Sequence, residues 1–418
     1  RLYFVIQSII NKMKISRDKI YLDYAATTPI DKEVKKTMEQ SGFGNPGSLH
    51  SFGQEALATV DESREKIAKA IGADFREIIF TGSATEANNL ALRGIIKNLK
   101  SQISNLKSLR IITSIIEHKS ILETCRDLEK EGVEIIYLPV NKQGIVDLKK
   151  LEESLNERTI LVSIIYANNE IGIIQPLFEI SKIIDNFKKR NFQKNPNYYP
   201  LFHTDAVQAF QFLNCNVNNL GIDLMTLSAH KIYGPKGIGI LYARAPYPKP
   251  YTLNPIITGG GHEFGLRSGT ENVPAISGFA KAIELADKNR EKEFKRIAEL
   301  SAYFWKELKK IYPKAEINNS NDLKFMIYNL RKLPNILNIY FPNQNSQDLL
   351  MKLDLNGVAI SAGSACSGRT AKTSHILKAL GLPEKKIKSS LRFSFGKFTN
   401  KKEIDKSLRI IKMIFCHN

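Results

Sequence analysis

A lysine and an aspartate in the middle of this 418-residue chain each follow a short apolar run. Asp205 comes after the run 199–202, and Lys231 comes after the run 224–227. Polar residues just past the carboxyl ends of strands are where α/β folds bind ligands. An imine-forming lysine and an acid for a pyridinium nitrogen are the groups that hold pyridoxal phosphate as an electron sink. The pair predicts such a site, although either residue alone would more often be a solvated surface charge.

A segment of small and hydroxyl residues, 81–86, follows a predicted strand and opens a predicted helix. Small residues let the backbone close around an anion, and a helix N-terminus supplies free N–H groups and the positive end of the helix dipole. Thr85 would add a hydroxyl donor, so this segment is a candidate phosphate site. Serine and threonine are also common helix caps, and that interpretation stays open.

Three further polar residues follow predicted strands and have chemistry that suits a pyridine ring. His118 lies at the start of a predicted helix, where an imidazole could stack on the ring and shuttle protons. Asn169 could hydrogen-bond a ring oxygen or a substrate carboxylate, and Gln208 lies three residues beyond Asp205 and could reach the same ring oxygen. A lone histidine at such a place is more often structural, so the ring role depends on the lysine and aspartate.

Two arginines lie in segments that suit anion binding. Three consecutive glycines, 259–261, mark a tight or flexible loop that runs to Arg267 and Thr270, which could add donors to a phosphate. Arg392 lies in an apolar, strand-like stretch, where a guanidinium needs a carboxylate. An amino-acid substrate would supply one bidentately, and an ion pair with a protein acid is the alternative.

Cys366 indicates the type of reaction. It lies among small and polar residues in 361–368, with an arginine and a lysine close by, whereas buried structural cysteines lie among large apolar residues. Nearby cations favour the thiolate, so we expect a nucleophile on a loop. Cys125, Cys215 and Cys416 show no CxxC or metal-ligand spacing, which argues against a disulfide framework or zinc site and favours a reducing, intracellular setting.

The composition is that of an ordinary globular protein with a sizeable core, with 43% hydrophobic and 25% charged residues. The net charge of +19 raises the question of nucleic-acid binding. The lysines are spread along the chain without a recognition motif, so we expect no nucleic-acid role; an acidic partner or anionic substrate is the alternative. The apolar run 2–10 is shorter than the ~20 residues that span a bilayer, and no signal-peptide cleavage site follows it, so we expect no membrane segment.

From residue 77 the sequence alternates strand-like runs with helical periods, which predicts an α/β fold with a mostly parallel sheet and helices on both faces. The seven strand-like runs are 78–80, 111–113, 135–137, 160–165, 201–202, 224–227 and 238–242. The helical periods fill 31–40, 52–71, 85–98, 119–131, 147–155 and 177–189.

A long helix is predicted from Pro274 to about residue 311, leading to a smaller α+β C-terminal domain. Strands are expected there at 336–341 and 391–395, with helices at 346–355, 374–380 and 401–415. Asn400 and Glu403 have the spacing of a capping box at the last helix. The predicted organisation is an N-terminal segment 1–28 packing with the small domain, a large cofactor-binding domain 29–288 and a small domain 289–418 that carries the cysteine loop.

Taken together, these motifs resemble the cysteine desulfurase family, the NifS/IscS-like branch of the class-V aminotransferase-like enzymes, from about Tyr21 to Phe415. The eight segments that carry the resemblance are 22–29, 43–48, 168–172, 204–208, 229–237, 259–263, 267–270 and 363–366. Eight motifs in order make a chance match implausible. The resemblance implies the type I fold of pyridoxal-phosphate-dependent transferases.

The resemblance also implies which residues bind the cofactor. Lys231 would form the imine, Asp205 would hold the ring nitrogen, and His118 would stack on the ring and transfer protons. The other implied cofactor ligands are Ala84, Thr85, Asn169, Gln208, Ser228, His230 and, across a homodimer, Thr270 of the partner subunit.

For the reaction, the resemblance implies that Asn169 and Arg392 hold the carboxylate of L-cysteine while Cys366 attacks its sulfur. The products would be L-alanine and a persulfide on Cys366, and an iron–sulfur scaffold protein or tRNA thiolation would use the sulfur in the cytoplasm. No metal site is expected apart from a transient iron–sulfur contact at Cys366. A selenocysteine lyase and an inactive platform that binds proteins or RNA remain as alternatives.

Overall fold

The computed structural model describes residues 19–100, 109–191, 199–245, 253–320, 322–363 and 373–416. The expectations for the apolar run 2–10 and for Cys366 lie outside the described residues. The chain divides into two compact units. Among the described residues, the large unit lies within 27–168 and 173–292, and the small unit lies within 19–26, 169–172 and 293–416.

The strands of the described chain alternate with helices, as the sequence predicts. In order they are β1 (Ile20–Tyr21), β2 (Ile78–Thr81), β3 (Arg110–Ser114), β4 (Glu134–Leu138), β5 (Thr159–Ser163), β6 (Leu201–Asp205), β7 (Leu224–Ser228), β8 (Gly239–Ala243), β9 (Glu316–Ile317), β10 (Ile336–Tyr340), β11 (Val358–Ala359) and β12 (Ser390–Ser394).

The helices match most of the predicted periods. They are α1 (Lys32–Glu39), α2 (Ser51–Ile71), α3 (Ala84–Lys100), α4 (Lys119–Lys130), α5 (Leu148–Ser154), α6 (Leu177–Asn191), α7 (Val217–Leu220), α8 (Val273–Ile311), α9 (Leu323–Tyr328), α10 (Ser346–Leu355), α11 (His375–Ala379), α12 (Glu384–Ile387) and α13 (Lys401–Cys416). The short elements α7, α9, α12, β9 and β11 were not predicted, because one or two turns, or two extended residues, are too short to show a period.

A seven-stranded sheet forms the core of the large unit, in the order β2-β8-β7-β6-β5-β3-β4. Only β8 runs antiparallel to its neighbours, so the predicted mostly parallel sheet is confirmed. All of its strands except the edge strand β4 are buried on both faces, which is why they read as largely apolar runs without alternation. Ile111 of β3 and Leu161 of β5 are paired and fully buried, and truncating either to alanine would cost about 2–5 kcal/mol.

The small unit contains a three-stranded antiparallel sheet in the order β12-β10-β9, and β1 pairs with β11 in parallel. Asn400 and Glu403 form the predicted capping box at α13, with each side chain accepting from the other residue's backbone N–H at 3.0 Å. No helix among the described residues has both the length and the apolar composition needed to cross a bilayer.

Candidate active site

Asp205 and Lys231 lie after neighbouring parallel strands of the large unit. Asp205 is the last residue of β6, and β6 pairs with β7, where Thr226 lies opposite Asp205. β7 ends at Ser228, and one 3₁₀ turn, Ala229–Lys231, follows it. The sheet therefore brings the predicted acid and the predicted imine lysine to the same edge, at the carboxyl ends of parallel strands.

The carboxylate of Asp205 is held by two N–H donors. One oxygen accepts from the backbone N–H of Val207 at 3.1 Å, and the other accepts from the side-chain amide of Asn88 at 2.9 Å. The residue is only 5% exposed. An ionised carboxylate accepts hydrogen bonds and has about four lone-pair sites, so this group can still receive a protonated ring nitrogen.

Helix α3 begins at the predicted phosphate segment. The hydroxyl of Ser83 accepts from the backbone N–H of Glu86 at 3.2 Å, so Ser83 caps the helix. A Cβ added to Gly239 would lie 2.7 Å from the carbonyl carbon of Ser83 and 2.8 Å from the nitrogen of Ala84, so only glycine fits where β8 starts. Thr85 is exposed in the first turn of α3.

Arg267, suggested as a further donor to a phosphate, forms an ion pair next to the phosphate segment. Its Nε donates to Glu86 at 2.9 Å, and the other oxygen of Glu86 accepts from the backbone N–H of Gly82 at 2.8 Å. Glu86 therefore joins the phosphate segment to the glycine-rich loop. Thr270 lies beside them, exposed, on the wall of a cavity of about 180 Å³.

Two threonines hold the turn that carries Lys231, and sequence reasoning gave them no role. Thr27 Oγ1 lies 3.1 Å from His230 Nδ1, and Thr28 binds the carbonyl of His230 through both its N–H and its hydroxyl, at 2.9 and 3.0 Å. Burial, with smaller contributions from the positive charges of Lys231 and Lys236, lowers the pKa of His230 to about 4. His230 is therefore a neutral hydrogen-bonding group at physiological pH.

His118 is the N-cap of α4, which confirms its predicted place at a helix start. Its neighbour Glu117 is fully buried and accepts from the Ser114 hydroxyl at 2.5 Å and from the Ile165 N–H at 2.9 Å. Burial, with a smaller contribution from the charge of Asp205, raises the pKa of Glu117 to about 8. Glu117 is therefore mostly protonated at neutral pH and does not compete with Asp205 for a cationic ring nitrogen.

The glycine-rich loop is tied to the large unit by a buried ion pair. Arg64 binds Glu263 bidentately, with both N–O distances 2.8 Å, and Glu263 also accepts from the backbone N–H of Phe80 at 2.8 Å. Arg64 also lies over the ring of Phe80, 4.8 Å from its centroid. The partners are 199 residues apart in sequence, so sequence patterns gave no signal for this contact.

In the small unit, Arg392 of β12 is 1% exposed and uses two of its nitrogens within the protein. One donates to Asp23 at 2.7 Å and the other to the carbonyl of Asn169 at 2.8 Å. The ion pair with a protein acid, one of the two alternatives, is thus observed. The guanidinium has five N–H donors, so this pairing leaves donors for a second carboxylate.

The segment 169–172 is held by side chains through three successive carbonyl groups. Asn338 donates to the carbonyl of Glu170 at 3.3 Å, and Asn319 donates to that of Ile171 at 3.2 Å. The amine of Lys332 also donates to Ile171 and, at 3.1 Å, to Asn319. With Arg392 on Asn169, these contacts fix the backbone beside a predicted substrate ligand.

Glu170 also fixes the chain that follows the cysteine segment. Its buried carboxylate accepts from the Ser374 hydroxyl at 2.5 Å, and Ser374 in turn caps α11 by accepting from Leu377 at 3.1 Å. Before the segment, the backbone of Ser361 exchanges two hydrogen bonds with that of Arg392, at 3.2 and 2.7 Å. The chain is therefore anchored on both sides of the segment that contains the predicted nucleophile.

The residues of the large unit fit pyridoxal phosphate. A buried acid, a lysine after the next strand and an open N-terminus of a 17-residue helix supply partners for the ring nitrogen, the aldehyde and the phosphate. Position 239 must be glycine because a Cβ there would clash with Ser83 and Ala84. The glycine therefore keeps side-chain atoms away from the start of that helix.

The family model for aminotransferase class-V matches residues 20–406. A "Cysteine desulfurase IscS" of Dictyoglomus turgidum is 44% identical over 95% of this chain and 94% of its own length. A "Cysteine desulfurase, mitosomal" of Encephalitozoon cuniculi is 42% identical over 93% of this chain and 84% of its own length. Among solved structures, a "NIFS-like protein" has a TM-score of 0.84 and 35% identity, covering 96% of this chain and all of its own.

Proposed function

Since this chain belongs to the aminotransferase class-V family, within its cysteine desulfurase branch, we propose that it converts L-cysteine to L-alanine and takes up the sulfur as a persulfide on Cys366. The family expected from the eight sequence motifs is confirmed by these matches. The main support for this proposal is that Asp205 and Lys231 follow the adjacent parallel strands β6 and β7.

The enzyme depends on pyridoxal phosphate, which, when bound, withdraws electrons from the substrate carbon next to the amino group. Lys231 would hold the aldehyde carbon, Asp205 would hold the ring nitrogen, and His118 would contact the ring. The phosphate ligands proposed from this chain are Ala84, Thr85, Ser228 and His230. Asn169 and Gln208 are proposed to donate to the ring oxygen.

Arg392 and Asn169 are proposed to orient the substrate by its carboxylate. The thiolate of Cys366 then attacks the substrate sulfur, so that one carbon–sulfur bond breaks and one sulfur–sulfur bond forms. The carbon that loses sulfur gains a proton. L-Cysteine and the enzyme thiol thus balance L-alanine and the enzyme persulfide without an external oxidant or reductant. Cys366 lies outside the described residues, and its role is supported by its sequence context and its family.

The persulfide sulfur is proposed to pass to an acceptor protein, an iron–sulfur scaffold in the first instance, with tRNA thiolation as a second use. The thiols of Cys125 and Cys215 cannot substitute for Cys366. Both are buried, and burial raises the pKa of both, that of Cys215 to about 12. Reduced thiols suit a reducing compartment, and we propose the cytoplasm. Cell fractionation distinguishes it from an organelle such as the mitosome named for one relative.

A homodimer is proposed because large apolar side chains are exposed next to the motif 43–48. Phe43 is 86% exposed and Leu49 is 91% exposed, and Phe52 packs on Phe43 with ring centroids 5.2 Å apart. A patch of this kind is typical of a surface that a partner covers. Leu49→Asp is expected to shift the sedimentation coefficient from that of a dimer to that of a monomer, and an unchanged dimer would count against this surface.

The direct test is a cysteine turnover assay with a thiol reductant, measuring sulfide and alanine together. Equal amounts of the two products, lost in Cys366→Ala and in Lys231→Ala, support the desulfurase. Selenide release from selenocysteine that survives Cys366→Ala, while cysteine turnover vanishes, would favour a selenocysteine lyase. Protein that stays colourless when purified with added cofactor would favour an inactive platform.

A further inference from the structure

A chain of hydrogen bonds in the large unit connects Asp205 to His118 through two residues that sequence analysis did not select. The side-chain amide of Asn88, fully buried in α3, donates to Asp205 at 2.9 Å and to the hydroxyl of Ser120 at 2.8 Å. That hydroxyl lies 2.8 Å from Nδ1 of His118. The acid for the ring nitrogen and the histidine for proton transfer are therefore parts of one network.

The chemistry of the acceptors fixes the orientation of Asn88. A carboxylate can only accept, so the NH₂ group of the amide must face Asp205, and its second hydrogen then points to Ser120. This orientation leaves Asn88 Oδ1 buried without a hydrogen-bond partner in the described chain. Flipping the amide would place that oxygen against the carboxylate, which is worse, so Asp205 and Ser120 together hold the side chain in place.

The hydrogen-bond donors around His118 determine which of its ring nitrogens carries the proton. The backbone N–H of Ser120 donates to Nδ1 of His118 at 3.2 Å, and the Ser120 hydroxyl, whose oxygen accepts from Asn88, has its hydrogen available for the same nitrogen at 2.8 Å. Two donors at Nδ1 require a lone pair there, which places the proton of the neutral ring on Nε2. A proton on Nδ1 would instead face a backbone N–H that cannot turn away.

Resting on the proposed function, we propose that Asn88 and Ser120 are positioning residues that keep His118 in the Nε2–H tautomer, so that it enters the reaction as a proton donor. The carbon that loses sulfur needs a proton, and Nε2–H can supply it. A different group must then remove a proton from the substrate, and the amine of Lys231 is the candidate base. Asn88 also keeps the Asp205 carboxylate turned in one fixed direction.

The test reads the tautomer in the full-length protein by NMR of ¹⁵N-labelled histidine, with and without bound pyridoxal phosphate. His118→Asn assigns the signal by its loss. Wild-type protein is expected to show a protonated Nε2 and an unprotonated Nδ1 at slightly alkaline pH. A predominant Nδ1–H signal in the wild type would overturn the proposal, whatever the variants do.

Ser120→Ala and Asn88→Leu test the two positioning residues by kinetics. Each is expected to lower kcat for alanine formation about three- to tenfold, the loss of one hydrogen bond, with KM for cysteine nearly unchanged. Ser120→Ala should also populate the Nδ1–H tautomer, which a purely structural role would not cause. Unchanged kcat and tautomer in both variants would refute the positioning role.

Thr124→Val is the matched control, because Thr124 lies in the same helix and donates to the Ser120 carbonyl at 2.8 Å without touching His118. It should keep the wild-type kcat and tautomer, and a loss equal to that of Ser120→Ala would mean that helix distortion explains the effect. If the wild type shows the Nε2–H tautomer but no cysteine turnover, the proposed function fails while the tautomer assignment is supported.

Discussion

The burial of Lys332 predicts how the stability of the protein changes with pH. Its side chain is fully buried and its amine donates to the Ile171 carbonyl and to Asn319, which supports the segment 169–172. Burial lowers the pKa of this amine from 10.5 to about 7. Lys332→Met keeps the length of the side chain but removes the titrating group and one support of the segment that contains Asn169.

The direction of the pH effect on stability follows from the number of protons that the folded and unfolded states bind. Because the folded pKa lies below the unfolded one, the unfolded chain binds more protons between pH 7 and pH 10.5. The free energy of unfolding of the wild type therefore rises with pH across that window, by up to about 5 kcal/mol in total and by about 2 kcal/mol between pH 7 and pH 9. Below pH 7 both states are protonated and the contribution is constant.

Urea unfolding at pH 7, 8 and 9, at fixed protein and cofactor concentration, measures this difference. The stability advantage of the wild type over Lys332→Met is expected to grow by about 2 kcal/mol from pH 7 to pH 9. Lys324→Met, at an exposed lysine of the same unit, controls for loss of charge and should show a flat difference. If the difference between the wild type and Lys332→Met stays flat, the amine of Lys332 is hydrated and burial does not lower its pKa, which would contradict the prediction.

Three further predictions concern other buried contacts. Arg64→Leu leaves the Glu263 carboxylate buried without its ion-pair partner and should cost about 3–5 kcal/mol in urea unfolding, most of it recovered in the double variant with Glu263→Leu; no recovery would contradict the pairing. Glu117→Gln should gain stability relative to the wild type as pH rises from 4.5 to 8, because burial raises the wild-type pKa to about 8; a constant difference would count against this. A double-mutant cycle of Glu170→Leu and Ser374→Ala should give a coupling of about 1.5–3 kcal/mol, and additivity would mean that the 2.5 Å hydrogen bond contributes nothing.

The strands and long helices could be predicted because their signals are local. Short apolar runs, rich in isoleucine in β2, β3 and β4, indicated the strands of the large sheet, and the spacing of Asn400 and Glu403 indicated the start of α13. The ends of β6 and β7 then placed Asp205 and Lys231 without any knowledge of side-chain contacts, because parallel strands end at one edge.

The supporting contacts could not be predicted, because they join residues far apart in sequence. Asn88 left only one local sign, a polar residue on the apolar face of α3 between the buried Ala87 and Ala91. The partner of Arg392 is 369 residues away, so its sequence context alone could not distinguish an ion pair with Asp23 from a substrate contact. The ion pair of Arg267 with Glu86, which is also distant in sequence, could not be predicted for the same reason.

The central claim is that Lys231 and Asp205 hold the cofactor for a reaction whose sulfur is taken up by Cys366. The most direct measurement is a single turnover of the holoenzyme with L-cysteine and no reductant, followed by peptide mass spectrometry and alanine quantification. We expect one alanine per active subunit and one added sulfur atom on the peptide containing Cys366, both absent in Lys231→Ala. Alanine formed without added sulfur, or sulfur added to Cys125, Cys215 or Cys416 instead, would contradict it.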